Sequence, residues 1–176
     1  MSMTVIEHIE VGSGGAASIE FTSIAQTFTD LMLKYSVRTS GAVVVRSVIL
    51  AINGTSANLS ERFLYGTGSS ATSNSQAGAS TAHYAPGASA TASTFNSGEL
   101  YLPNYTGSTN KSISAESVTE NNATEAWQAI NAVLNSSTAA ITSITLTPGG
   151  GDNFVQYSSA TLFGITAGSS GGVTVS

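Results

Sequence analysis

The sequence predicts an all-β protein, an antiparallel β-sandwich of jelly-roll type with eight to nine strands. Three observations carry this expectation. Short runs rich in β-branched and aromatic residues recur at near-regular spacing, and the segments between them are rich in Gly, Ser, Asn and Asp, residues that turn the chain. Residues 30–38 alternate strictly, with Leu31, Leu33, Tyr35 and Val37 on one side and Asp30, Met32, Lys34, Ser36 and Arg38 on the other. Many short strands joined by Gly-rich turns pack as two layers or close into a barrel.

Taken in order, residues 3–11 read as a first strand and 12–16 as the turn after it. Ile19 and Phe21 alternate with Ser18, Glu20 and Thr22, which makes a second short strand with one wet face. The alternating third run ends at the turn Ser40-Gly41. Residues 42–53 carry Val43, Val44, Val45, Val48, Ile49, Leu50 and Ile52, apolar on both faces, and read as a central strand that Asn53-Gly54 terminates. Residues 62–65 form a further short strand. Over residues 66–98 the composition shifts to Gly, Ser, Ala and Thr, and this stretch reads as a long excursion, ordered where Tyr84 and Phe95 find packing partners.

Strand character resumes at 99–105, where Pro103 implies an edge or a bulge, and again at 111–119. Residues 126–134 fit two states. Trp127, Ile130 and Leu134 fall at helical spacing and alanine favours helix, yet every neighbour is β, so a strand is preferred, forming a hairpin through 135–138 with residues 139–147. The most prominent stretch is 138–166, where two β-branched and aromatic runs flank Pro148, Gly149, Gly150, Gly151, Asp152 and Asn153. It predicts a β-hairpin that serves as the spine of a single domain over residues 1–166. Residues 167–176 read as a Gly/Ser-rich tail, flexible or bound to a partner.

Composition narrows the function. The 176 residues suit one domain, and 41% hydrophobic content supports a real core. Charged residues make up 9%, and a net charge of −5 leaves no basic stripe for phosphates, so no nucleic acid is expected. The surface is expected to be uncharged and coated with Ser, Thr and Asn, suited to close packing against copies or neighbours. With 0 cysteines there is no disulfide framework and no thiolate metal site. The amino end carries Glu7 and Glu10 and no apolar run of signal-peptide or membrane-span length, so neither secretion nor a membrane is expected. The six Asn-x-Ser/Thr triplets follow from composition alone.

Chemistry is sparse. His8 and His83 are the two histidines and Asp30 and Asp152 the two aspartates, so neither a transition-metal nor a hard-cation site is expected. His8 reads as solvated and His83 as a loop residue. Glu116, Glu120 and Glu125 read as a water-facing strand end and loop, no G-x-S-x-G elbow occurs, and the glycine clusters at 12–15 and 66–68 lack the Lys of a phosphate loop. No catalytic residue, metal or cofactor is assigned, and an enzyme is not expected. The candidate interaction residues are Tyr84, Tyr101 and Tyr105. Tyr101 and Tyr105, four apart on an expected strand, would share one face, and with Tyr84 and Trp127 these rings serve either packing or sugar stacking.

A resemblance adds to this reading. Residues 19–38 (IEFTSIAQTFTDLMLKYSVR), 101–106 (YLPNYT), 138–147 (TAAITSITLT) and 159–165 (SATLFGI) resemble uncharacterised virion proteins of tailed bacteriophages, including phages of marine bacteria and cyanobacteria. Those proteins commonly carry Ile-Pro where this chain has Ile24-Ala25, which removes a fixed φ here. The resemblance runs loosely from Ile19 to Ile165 and marks a β framework, with no functional residue to carry over. It implies a jelly-roll-like module of the virion, assembled in the bacterial host: a capsid decoration or cement protein, trimeric over the lattice of the major capsid protein. The alternative is a tail fibre or spike module that binds host-surface glycans through Tyr-bearing loops. A chain that opens almost directly on a strand, without a shaft repeat, inclines the expectation toward the capsid.

Overall fold

The computed structural model describes residues 2–79, 81–122 and 125–167. These form β1 (Ser2–Glu10), β2 (Ile19–Phe21), β3 (Asp30–Ser36), β4 (Val45–Ile52), β5 (Leu59–Gly66) and β6 (Ala71–Ala77). The second half supplies β7 (Thr81–Pro86), β8 (Ser97–Leu102), β9 (Lys111–Asn121), β10 (Glu125–Asn135), β11 (Ile144–Pro148) and β12 (Ser159–Thr166). Among the described residues the one helical element is a 3-10 turn at Gly149–Gly151.

Alternation sets these strands, because successive side chains point to opposite faces. On β3, Leu31, Leu33 and Tyr35 are buried while Lys34 and Ser36 are exposed. Val48, Leu50 and Ile52 of β4, Leu100 and Leu102 of β8, Ile144 and Leu146 of β11, and Ala160 and Leu162 of β12 all turn inward. With Ile19, Phe21, Tyr105, Ile141 and Phe154 they fill one core between two antiparallel sheets.

The pairing is that of a jelly roll. One sheet runs β1-β12-β3-β8-β9-β10-β5-β6 and the other β2-β11-β4-β7. Set aside β5, β6, β9 and β10, and eight strands remain that pair first with last: β1 with β12, β2 with β11, β3 with β8 and β4 with β7. Those eight are the roll. The other four arrive as two inserted hairpins, β5–β6 and β9–β10, that continue the larger sheet beyond β8; they are termed the wing. The inner face of the wing overhangs β7, the edge of the smaller sheet, where the Tyr84 backbone N–H donates to Ser117 Oγ at 3.2 Å.

The hairpin expected at 138–166 does not form. β11 pairs with β2 and β4, whereas β12 pairs with β1 and β3 in the other sheet. The Pro-Gly-Gly-Gly segment therefore carries the chain from one layer to the other. Its glycines are needed there: Gly150 and Gly151 both have φ 74, and a Cβ on Gly149 would lie 2.7 Å from Ser47 Oγ. An ion pair of 2.6 Å between Arg46 Nε and Asp152 Oδ2 pins the crossing.

Residues 126–134 are strand, as preferred, but β10 pairs with β5 and β9 and makes no hairpin with 139–147. The 66–98 excursion contains two strands, β6 and β7, so the described residues form twelve strands rather than eight or nine. Val43 and Val44 belong to a bend before β4. Ala167 is held at its N–H by Thr29 Oγ1 at 2.9 Å, and the tail expected beyond it lies outside the described residues.

Candidate interaction surface

Most of the few charges are consumed by the fold. The Arg38 guanidinium donates to the carbonyls of Ala90, Thr91 and Thr94. Lys111 Nζ, on a residue 3% exposed, donates to the carbonyls of Thr109, Ser137, Thr138 and Ala139; burial lowers its pKa. Glu120, expected to face water, instead accepts from the Thr91 N–H and from the hydroxyls of Thr91 and Thr94. Of the five Lys and Arg side chains, Lys34 and Arg62 are left on the outer face of the large sheet.

The three tyrosines do not meet. Tyr101 lies on the outer face, and its hydroxyl donates to Asp30 Oδ2 at 2.9 Å, which raises its pKa. Tyr105 is fully buried, donating to the Ala25 carbonyl. β8 ends at Leu102, and Asn104 turns the chain at φ 47, so the expectation that Tyr101 and Tyr105 share a strand face fails. Tyr84 belongs to a third place, under the wing.

That third place joins Tyr84 to Trp127 and adds Phe63, Tyr65 and His83, which the sequence did not group with them. The rings of Phe63, Tyr65, Tyr84 and Trp127 adjoin, with centroids 6.0 Å apart for Tyr65–Trp127 and 5.8 Å for Tyr84–Trp127. Beneath them, Asn131 Nδ2 donates to Glu61 Oε2 at 2.9 Å, and the His83 ring packs against Phe63 at 4.9 Å and Tyr84 at 4.8 Å. His83 is no loop residue. A bulge in β7 against β4, with His83 at φ 78, turns the ring into the sandwich. Burial lowers its pKa to about 4, with a side-chain hydrogen bond to Asn131 acting in the opposite sense. A neutral, enclosed imidazole in this setting is a packing element.

The outer face of the wing has the reverse character. Along β10 the inward residues are Trp127, Ala129, Asn131, Val133 and Asn135, and the outward ones Ala126, Gln128, Ile130, Ala132 and Leu134. The strand thus buries two asparagines beside Val133 and Ala129 and points Ile130 and Leu134 at solvent. Leu64 (51% exposed), Ile130 (46%), Val118 (43%) and Leu134 (41%) form the apolar part of that face.

Cross-strand register aligns Lys34, Glu99, Glu116, Ile130, Leu64 and Ser73 in one row. The next row runs Tyr101, Ser114, Ala132, Arg62 and Ser75. Between them lies a groove of about 880 Å3. Lys34 Nζ pairs with Glu99 Oε2 at 2.7 Å, while Glu116 sits directly opposite Glu99, a like-charge pair that costs the sheet stability.

Among the described residues no three His, Asp or Glu side chains gather to hold a metal, and no helix is long and apolar enough to cross a membrane. Comparison with protein-family models, curated proteins and solved structures finds no match to this chain.

Proposed function

We propose that this chain is a structural protein of tailed-bacteriophage particles, a decoration or cement protein that docks on the major capsid protein through the outer face of its wing. The observation that carries the reading is the outer face of β10, which presents Ile130 and Leu134 to solvent while Asn131 and Asn135 occupy inward positions. A strand built in that sense leaves apolar area for another protein to cover. The sequence resemblance, the jelly roll and the sparse charge support the same reading. Individually weak contacts, repeated by a three-fold assembly over a lattice, hold firmly through avidity.

Absolute quantification of the chain in purified particles tests this. Hundreds of copies per particle are expected; a few to a few tens would transfer it to the tail. One observation favours the tail-module alternative: the half-buried rings of Tyr65, Tyr84 and Trp127 crowd the rim under the wing, where ring faces suit sugar C–H groups. Binding of the isolated protein to host polysaccharide, lost in Trp127→Ala, would select that alternative.

A further inference from the structure

Every sheet edge exposes backbone N–H and C=O groups that pair with any strand reaching them, so proteins shorten, charge, bulge or cover their edges. Among the described residues, three of the four sheet edges are managed. β2 is three residues long. β7 lies under β9, which takes its Tyr84 N–H. β1 carries Glu7, His8 and Glu10 and is interrupted by a register shift between Val5 and Glu7.

β6 is the exception. Its seven residues, Ala71-Thr-Ser-Asn-Ser-Gln-Ala77, contain no charge and no proline, and all but Thr72 are exposed. Their register with β5 is unbroken from Ser60↔Ala77 to Gly66↔Ala71. A local stopgap occurs at Ser75, whose backbone N–H donates to the neighbouring Asn74 Oδ1 at 2.7 Å.

We propose that the free edge of β6 pairs antiparallel with the β6 edge of a second copy, joining two eight-stranded sheets into one across a two-fold axis. The occupant is a second copy because the strand is its own complement. Laid antiparallel about Asn74, Ala71 meets Ala77, Thr72 meets Gln76, Ser73 meets Ser75, and Asn74 meets itself. Directly opposed residues share a face, so this register keeps Ser73 and Ser75 on the outer face and Thr72, Asn74 and Gln76 on the inner face of both copies. Hydroxyl and amide groups meet hydroxyl and amide groups, and no like charges oppose. A β1 strand in that place would bring two glutamates and a broken register instead.

The pairing is isologous, so it closes with two copies. It also extends the outer groove: the row through Arg62 and Ser75 runs on into Ser73, Leu64 and Ile130 of the second copy. The inference stands apart from the virion reading, since it concerns the purified chain alone.

Sedimentation of the full chain, with a single-cysteine crosslink, tests it. The chain has 0 cysteines, so Asn74→Cys gives one reporter per copy. Opposed Cα atoms in an antiparallel pair lie roughly 4.5–5.5 Å apart, within disulfide reach. Oxidation should yield a crosslinked dimer from Asn74→Cys and none from Thr72→Cys, whose symmetry mate lies about four residues along the strand. The double variant Ser73→Lys/Ser75→Lys places lysines opposite each other and should raise the dimer dissociation constant about tenfold or more, with an unchanged far-ultraviolet dichroism spectrum. A monomer that Asn74→Cys does not crosslink, or a trimer insensitive to the lysine pair, overturns the proposal.

Discussion

The roll and the wing are continuous in one sheet, yet they spend their residues oppositely. In the roll, inward positions are mostly Leu, Ile, Phe and Val, while outward ones carry Lys34, Glu99 and small polar groups, with Met3 and Val5 exposed on the edge strand β1. In the wing, Leu59, Ile113 and Val133 join the core, but the inward list also includes Glu61, Lys111, Ser117, Thr119, Asn131 and Asn135, all buried, while Leu64, Val118, Ile130 and Leu134 face out. Burying a polar group stabilises little even when it is bonded. The difference teaches that most of the apolar core lies in the roll, and that the wing adds to it a surface joined through a partly polar seam.

The largest expected effect tests the roll. Leu33 is fully buried in the core cluster, and Leu33→Ala removes apolar area and leaves a cavity, a loss of about 2–5 kcal/mol. Urea unfolding read by tryptophan fluorescence and by far-ultraviolet dichroism should shift together, because Trp127 of the wing cannot stay ordered once the roll opens. Separate transitions, with the wing unfolding unaffected, would break the comparison.

A smaller effect probes the seam. The native His83 ring takes a proton only near pH 4, whereas the unfolded chain takes it near 6.5. Between those values the unfolded state binds the extra proton, so stability falls as pH drops through this window and levels below it. The loss amounts to roughly 3 kcal/mol by pH 4. His83→Asn keeps a residue that tolerates positive φ and removes the titration. Its urea midpoint should fall less between pH 7 and pH 4.5 than that of the parent, a difference that cancels the carboxylates common to both. Hydrogen exchange in the parent at the lower pH should rise first in β5 and β10. Equal pH dependence in the two proteins would show that His83 is not the group that loosens the seam.

What the sequence made legible follows from range. Alternation is a local property, so β3 could be read from its own residues, whereas 126–134 also fits helical spacing and reads as strand only from its β neighbours; many short strands with Gly-rich turns sufficed to predict a jelly-roll sandwich. Partners are not local. Pro148 to Gly151 correctly signals a turn, but turn chemistry does not reveal whether the chain returns beside itself or crosses to the other layer. β6 and β7 hid in Ser, Gly and Ala because a strand exposed on both faces, or buried beneath a bulge, has no period of two.

The site suffered more than the fold. Tyr101 and Tyr105 were paired by assuming that the strand survived Pro103, although Pro-Asn is itself a turn signal. The rings of residues 63, 65, 84 and 127 come from three strands, and only the sheet register assembles them. One signal was available: once 126–134 is taken as strand, its two faces can be compared, and the aliphatic one excludes Asn131 and Asn135.

The smallest expected effect on folding is also the most informative about function. Ile130 and Leu64 face each other across β10 and β5 on the outer surface, each about half exposed, so Ile130→Ser and Leu64→Ser remove apolar area of which the isolated chain leaves about half uncovered. Surface changes of this kind stay within about 0.5 kcal/mol, and the urea midpoint should barely move. Binding to undecorated phage heads, by contrast, should weaken at least about tenfold if this face supplies even one buried aliphatic contact per copy. The same change made inside, at Leu100, would abolish binding only by unfolding the chain. Heads that bind the double variant as tightly as the parent would leave the outward aliphatics of β10 without a role in capsid contact, and would return the reading to the rings under the wing.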